Sequence, residues 1–463
     1  MSVSFWEMIE RSRTGEKMEE KGFDLSIFKS VQRLIKKYNI KYDKAQPLPK
    51  DDDLADAVMA AAIEFYSEIG TFCINTARVI RFTEREIREG LDALPSEVTL
   101  GEGREVVTLR NLKVEGVVEP VVIGGLQTAI YSSEEMMYLI SKATAEEPSI
   151  DGLWGGGLKF IDGQYPIIAG LPSEVYAYRQ TALILRRAIN AAGRPGLMLI
   201  NNAPTSVATL AMADPINGLR PTDPSISTGC SEMKITYDDL NRVAFALSYS
   251  KCKHAAHNSV IGGFSGTPEG AAIVSTAGAL QCVMVNRADD VRPGAVPFRV
   301  KSRGLREHIW VGSLALQALS RNTHLILDAS LGNHPAAGPG TKQYMYENAA
   351  GQIAGTVSGG HSLSGTRKFV IGDTPDYGSP LESRWMGEIT KSVTGMSREQ
   401  ANEIVLYLLA IYEDHLMDAP EGHVFKQLYD IASMKPTPEY ERLYDEVKEE
   451  FVGLGVKFKS WSR

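Results

Sequence analysis

The chain has 463 residues, 43% of them hydrophobic and 23% charged, with a formal net charge of −8. These proportions suit a large folded core and disfavour disorder, and the length admits one large α/β domain with additions as readily as two or three average domains. An acidic balance without a dense basic run argues against nucleic acid as a partner.

The opening residues 1–15 are polar and charged and lack the apolar centre of a secretory signal. The best apolar stretch, 404–411, is short and runs into Glu413 and Asp414, so no membrane span and no membrane contact are expected. A cytoplasmic protein is the expectation. Cys73, Cys230, Cys252 and Cys282 are scattered without a C-x-x-C spacing, which indicates neither a disulfide framework nor a zinc knuckle. They read as small buried hydrophobes.

Helical spacing of apolar residues predicts helices over 24–38 and 53–69. Thr83 and Glu86 have the spacing of a capping box that opens a further helix to Leu94. The run Asp51, Asp52 and Asp53 reads as a helix start favoured by the helix dipole, not as a metal site. Segments 106–109 and 114–118 are β-prone and read as a hairpin or plug.

From there strands and helices alternate. Strands are expected at 121–125, 149–153, 196–201, 259–263, 281–285, 296–301, 324–329 and 368–373, with amphipathic segments at 173–192, 238–250, 267–280, 306–319 and 341–355. That count predicts an α/β fold, a (β/α)8 TIM barrel, with a doubly wound sheet as the next account. Segments 397–417 and 437–454 are helical again. The expected division is a helical extension with a barrel-closing hairpin at 1–118, the barrel at 119–395, and a helical extension packed on it at 396–463.

A barrel presents its chemistry at the carboxyl ends of its strands. The stretch from Gly193 to Ser206 runs through four apolar residues into Asn201 and Asn202, just before Pro204, so these two amides are either turn residues or part of a site. His254 and His257, in an H-x-x-H spacing without a fixed carboxylate, read as hydrogen-bonded histidines, and no metal is expected. Asn333 and His334 lie in the Gly/Pro-rich loop 331–341, which makes His334 the candidate general acid or base. Arg287, Arg299, Lys301 and Arg303 cluster near the expected fifth and sixth strand ends. Facing the mouth, they would hold a carboxylate on the substrate; otherwise they pair with Asp289, Asp290 and Glu307. The glycines at 155–157 and 262–266 match no phosphate-binding pattern, and no G-x-S-x-G elbow occurs.

Several short motifs, in order, resemble the monomethylamine:corrinoid methyltransferases of methanogens. They are Gly70-Thr-Phe-Cys73 with Arg81-Phe-Thr-Glu84, Thr99-Leu-Gly-Glu-Gly-Arg104, Gly193-Arg-Pro-Gly196, Glu232-Met-Lys-Ile235, Ala337-Gly-Pro-Gly-Thr341 and Met386-Gly-Glu388. The resemblance implies a TIM barrel, a homo-oligomer, and methyl transfer from a methylamine to the cobalt of a separate corrinoid protein. It also exposes departures. The family's pyrrolysine, at the end of the third strand, falls here on Asn201 or Asn202. Glu232 matches a family glutamate, a second glutamate is replaced in the region 255–257, and a Gln and Tyr pair after the seventh strand is missing, with His334 nearby.

The chain is therefore expected to be a pyrrolysine-free corrinoid-dependent methyltransferase. An asparagine forms no adduct with an amine, so the expected donor is a small N-methyl or quaternary compound that is already activated, with a carboxylate if the arginines face it. His334, Glu232 and His257 are the expected catalytic groups; Asn201, Asn202, Arg287, Arg299, Lys301 and Asn333 are the expected substrate contacts. No D-x-H-x-x-G corrinoid-binding signature occurs, so no tightly bound cofactor is expected and cobalamin arrives on the partner. The alternatives are a barrel lyase or isomerase using His334 with Asp328, or a non-catalytic ligand-binding barrel.

Overall fold

The computed structural model of the chain describes residues 3–127, 130–369 and 374–461. At its centre is a ring of parallel strands: Ile123–Gly125, Gly152–Trp154, Met198–Ile200, Pro224–Thr228, Cys252–Ile261, Asp290–Pro297 and Ile326–Leu327. His361 and Ser362 supply the eighth position, bridging Asp328 on one side and Val122 on the other. Ser362 donates to the Val121 carbonyl at 3.0 Å and accepts from the Ile123 N–H at 2.8 Å, which closes the ring. The fold is a TIM barrel.

The first three strands and the next four form two separate ladders. Between the third and fourth strands a side chain substitutes for the ladder. The Asp223 carboxylate accepts the Leu199 N–H at 2.8 Å and the Arg220 N–H at 2.7 Å. It also pairs at 2.5 Å with Arg186, from the helix Pro172–Ala191, and both side chains are fully buried. Arg186 further donates to the carbonyls of Leu197 and Gly218 at 3.0 and 3.1 Å.

The amino-terminal end of the ring is plugged by a hairpin, Glu97–Leu100 against Val107–Arg110. Its Val98, Leu100 and Leu109 pack on Ile123, Met198, Ile200, Ile226, Cys252 and Ile326 to make an apolar floor. Segment 107–110 is thus one arm of the expected plug, but its partner is the preceding segment; 114–118 forms no strand.

Helices Pro268–Met284, Arg306–Asn322 and Lys342–Val357 follow the fifth to seventh strands and are buried almost all round. The N-terminal helix Asp52–Ile69 covers the first two, and Arg398–Tyr412 covers the third. Asp51 caps the covering helix through the N–H groups of Asp53 and Leu54, and Thr83 and Glu86 form the expected capping box. Among the described residues, no helix is long and apolar enough to cross a membrane.

The strand reading needs correction in several places, among them the sixth strand, which runs over Asp290–Pro297 and not 296–301. Residues 281–285 close the buried helix Pro268–Met284, because a short apolar run fits a helix covered on both sides as well as a strand. The fourth strand, Pro224–Thr228, carries only one large apolar residue, Ile226, and its serines face polar partners: Ser225 bonds Ser250, and Ser227 accepts from Asn286 at 3.1 Å. The eighth position is 361–362; of the expected strand 368–373, Lys368 and Phe369 are not in a strand and 370–373 lie outside the described residues.

Because the Asp223 carboxylate stands in for a ladder, Asp223→Ala leaves a buried guanidinium and a strand N–H unpaired. The expected loss is about 3–5 kcal/mol in urea unfolding. The double variant Arg186→Met with Asp223→Leu should recover part of it.

Candidate active site at the carboxyl end of the barrel

Above the apolar floor the lumen turns polar. In the fifth strand Cys252 belongs to the floor, and His254 points the same way, two residues nearer the mouth. His254 Nδ1 lies 2.5 Å from Asp290 Oδ1 in the sixth strand, with Trp154 edge-on at 6.4 Å. Burial pushes the His254 pKa down, but the Asp290 carboxylate more than offsets it and the net shift is upward. Arg292, two residues beyond Asp290, bonds Ser364 Oγ at 3.4 Å. The Asp328 carboxylate accepts the N–H groups of Ser330 and Leu363 at 3.1 and 3.0 Å, the Ser364 hydroxyl at 2.9 Å and the Ser330 hydroxyl.

Asn333 ties this rim together. Its amide donates to Gln127 Oε1 at 2.8 Å and to the Gly365 carbonyl at 3.3 Å, and its Oδ1 accepts from Arg303 at 3.0 Å. The backbone N–H of Arg367 donates to the Asn333 carbonyl, and that of Arg303 to the His334 carbonyl, at 3.0 and 2.9 Å. Loops after the first, sixth, seventh and eighth strands thereby meet at one residue. The His334 ring stands edge-on to Phe369 at 6.0 Å, and its Nδ1 is buried without a hydrogen-bond partner. Burial, then Arg303, Arg367 and Arg292, hold the His334 pKa well below its ordinary value. His334 is thus a neutral imidazole at working pH, a hydrogen-bonding group and not a proton donor. Among the described residues Asp328 makes no hydrogen bond to it; its carboxylate is taken up by Ser330, Leu363 and Ser364.

Other expected site residues serve elsewhere. His257 points away from the lumen: its ring fills the space beside Gly278, where an added Cβ would lie 2.0 Å from Nδ1. Its Nε2 accepts the Met233 N–H at 3.1 Å. Glu232 accepts the N–H groups of Phe264 and Ser265 at 3.1 and 2.9 Å and the Ser265 hydroxyl at 2.9 Å. Glu232 and Met233 have φ of 60° and 66°, and these anchors hold the loop in that left-handed conformation. Glu232 and His257 are brought together, but as loop anchors.

Asn201 is turned into the helix layer, donating to the Gly156 carbonyl at 3.1 Å and to Met212 Sδ at 3.5 Å. Asn202 accepts from Arg242 at 3.4 Å and lines a cavity of about 500 Å3 with Gly156, Glu174, Tyr178 and Pro204. Arg299 and Lys301 are exposed on the rim. Arg287 is a correction: it precedes the sixth strand, at the amino-terminal end of the ring, because the segment expected to be the strand before it is helix.

The family model for the monomethylamine methyltransferase MtmB matches residues 3–456. The chain belongs to this family. MtmB2 of Methanosarcina acetivorans and MtmB1 of Methanosarcina barkeri are each 29% identical over 460 residues, covering 99% of both chains. The crystal structure of the Methanosarcina barkeri monomethylamine methyltransferase superposes with a TM-score of 0.92 at 27% identity, over 99% of each chain, as does that of the hydroxylamine MtmB complex.

In this MtmB-family chain, sequence reasoning missed Arg292 and Arg367 at the mouth. Placing the sixth strand at 296–301 hid Arg292, although the alternation from Asp290 to Gly294 would have turned both charged residues to one face. Arg367 follows an eighth strand too short to carry a pattern. A cavity of about 550 Å3 beside Leu91, Arg321 and His324 lies at the amino-terminal end of the seventh strand, away from this cluster.

Burial lowers the His257 pKa to about 4. The unfolded chain therefore binds the extra proton first, and stability present above the ordinary histidine pKa is lost as pH falls towards 4. His257→Gln keeps an acceptor for Met233 but does not titrate. Urea midpoints measured between pH 7 and pH 4.5 should fall less steeply in this variant than in the parent.

Proposed function

We propose that this chain transfers a methyl group from a small, pre-activated N-methylated donor to the Co(I) of a corrinoid carried on a separate protein. The observation that carries the reading is the match to a methyltransferase family through the whole barrel. Corrinoid-dependent methyl transfer is the chemistry of that family, and the partner's cobalt is here a co-substrate.

The donor follows from what surrounds the mouth. Asn201 and Asn202 stand at the third strand end, where the family resemblance places pyrrolysine, and neither amide forms an imine-type adduct. Asn201 is further engaged by Gly156 and Met212. Asn202 borders open space and is the better substrate contact. His334, held neutral, offers no proton to a departing nitrogen. A donor that leaves as a stable neutral amine suits these residues, and a quaternary ammonium does so. In the transfer the C–N bond breaks with its electron pair staying on nitrogen, and the Co(I) pair forms the new cobalt–carbon bond to give methyl-Co(III). The protein supplies positioning and field.

Docking of a corrinoid protein needs an apolar patch ringed by polar groups. Phe264 and Phe298, 41% and 73% exposed, follow the fifth and sixth strands, and exposed Arg299 and Lys301 lie next to them. A homo-oligomer in the cytoplasm is part of the same reading.

The test is cobalt spectroscopy. Purified protein, a Co(I) corrinoid protein and a quaternary methylammonium donor should convert the Co(I) absorption to that of methyl-Co(III), and Asn202→Ala should slow the conversion at least about tenfold. No conversion with any methylated donor would sink the proposal.

A further inference from the structure

Several arginines drawn inside this protein are paired with a carboxylate: Arg186 with Asp223 at 2.5 Å, Arg194 with Glu105 at 2.6 Å, Arg398 with Asp52 at 2.7 Å. Arg292, Arg303 and Arg367 break this pattern. Among the described residues none of the three sits in an ion pair, and the Nε of each is buried without a hydrogen-bond partner. Arg292 and Arg303 are 7% and 6% exposed. The guanidinium of Arg367 makes no hydrogen bond among the described residues, while its backbone is fixed to Asn333.

These guanidiniums come from the sixth strand and the loops after the sixth and eighth, and they converge on Asn333 and His334. Arg303 reaches Asn333 Oδ1, Arg292 reaches Ser364, and all three act on the His334 ring. Arg303 is itself lowered by burial, by Arg292 and by Arg367, with Asp328 acting in the opposite sense. Asp328 already accepts four hydrogen bonds from Ser330, Leu363 and Ser364. Three buried cations with one carboxylate, Asp328, acting on two of them leave an excess of positive charge, which is costly unless a ligand balances it. Planar guanidinium forks match an oxyanion, above all a carboxylate. A bare methylammonium placed among the three guanidiniums would be repelled by each of them.

We propose that Arg292, Arg303 and Arg367 form a carboxylate-binding subsite for the methyl donor, so that the substrate is an N-methylated amino acid or related zwitterion and not a simple methylamine. The inference rests on the methyl-transfer reading for the identity of the ligand, but the subsite itself is testable without cobalt. The carboxylate end binds at the arginines, and the methylated nitrogen is thereby held off them.

The experiment is calorimetric titration of the full chain, without corrinoid protein. The probes are N,N-dimethylglycine and N,N,N-trimethylglycine, compared with monomethylammonium, tetramethylammonium and inorganic phosphate. At least one amino acid probe should bind about tenfold or more tightly than either simple ammonium, and Arg367→Met and Arg292→Met should each weaken it by about tenfold or more. Arg85→Gln, which removes a surface cation, should bind as the parent does. Without ligand, Arg367→Met should melt no lower than the parent, because it removes an uncompensated cation; a marked fall would show the arginine to be structural and overturn the proposal. Equal binding of simple ammonium ions, binding of phosphate alone, or unchanged binding in both Met variants would also overturn it. The cobalt assay separates the two ideas. Methyl transfer from tetramethylammonium, with amino acid probes that neither bind nor react, ends this inference and leaves the methyl-transfer reading standing. Amino acid probes that bind, with no methyl-Co(III) from any donor, keep the subsite and end that reading.

Discussion

A closed ring of strands requires every neighbour to be joined, and at one junction of this barrel the join is a carboxylate. Asp223 receives the Leu199 N–H from the third strand, holds the turn into the fourth through Arg220, and neutralises Arg186 from the helix outside. The ladder that would otherwise run there is replaced by hydrogen bonds to one buried ion pair, and the cost of removing those charges from water is met by the number of donors that surround each oxygen. The apolar floor, the polar storey above it and the loops that meet at Asn333 all presuppose that this seam is shut.

The ring is unevenly supported. Around the fifth to seventh strands the helices are themselves buried beneath the terminal extensions, and there the polar side chains of the lumen are concentrated: His254, Asp290, Arg292, Asp328. A second layer of helices fixes the backbone from which these groups project, which is what preorganised charge requires. The seam between the third and fourth strands lies on the thinner side, close to Asn202 and its cavity. Rigid charge on one side and an open wall on the other give the mouth two different mechanical characters.

Much of the architecture was legible because period and capping survive in single sequences. The helices Pro172–Ala191, Tyr237–Tyr249 and Arg306–Asn322 fall close to their expected spans, and Thr83 with Glu86 caps as its spacing implies. Two strands were illegible for physical reasons. Pro224–Thr228 gives its outward serines polar partners, so it lacks an apolar signature, and His361 with Ser362 is too short to have any period. The functional residues suffered from these errors of register. Arg287 moved to the opposite end of the ring when its preceding strand proved to be helix, and Arg292 emerged as a lumen residue because the sixth strand starts at Asp290 and not at 296. Glu232 and His257 were singled out by residue type, yet direction is a tertiary property: one caps a turn, the other fills the hollow beside Gly278.

The cover that Asp52–Ile69 provides has a consequence for how the protein comes into being. That helix leaves the ribosome early with a broad apolar face, and the two helices it shelters are complete only once Asn322 has been added. Until then the part of its face that meets those helices is uncovered, and the ring waits longer still, for Ser362 to seat beside Val122. Synthesis of this chain thus has a built-in interval in which that face is open to the wrong partners.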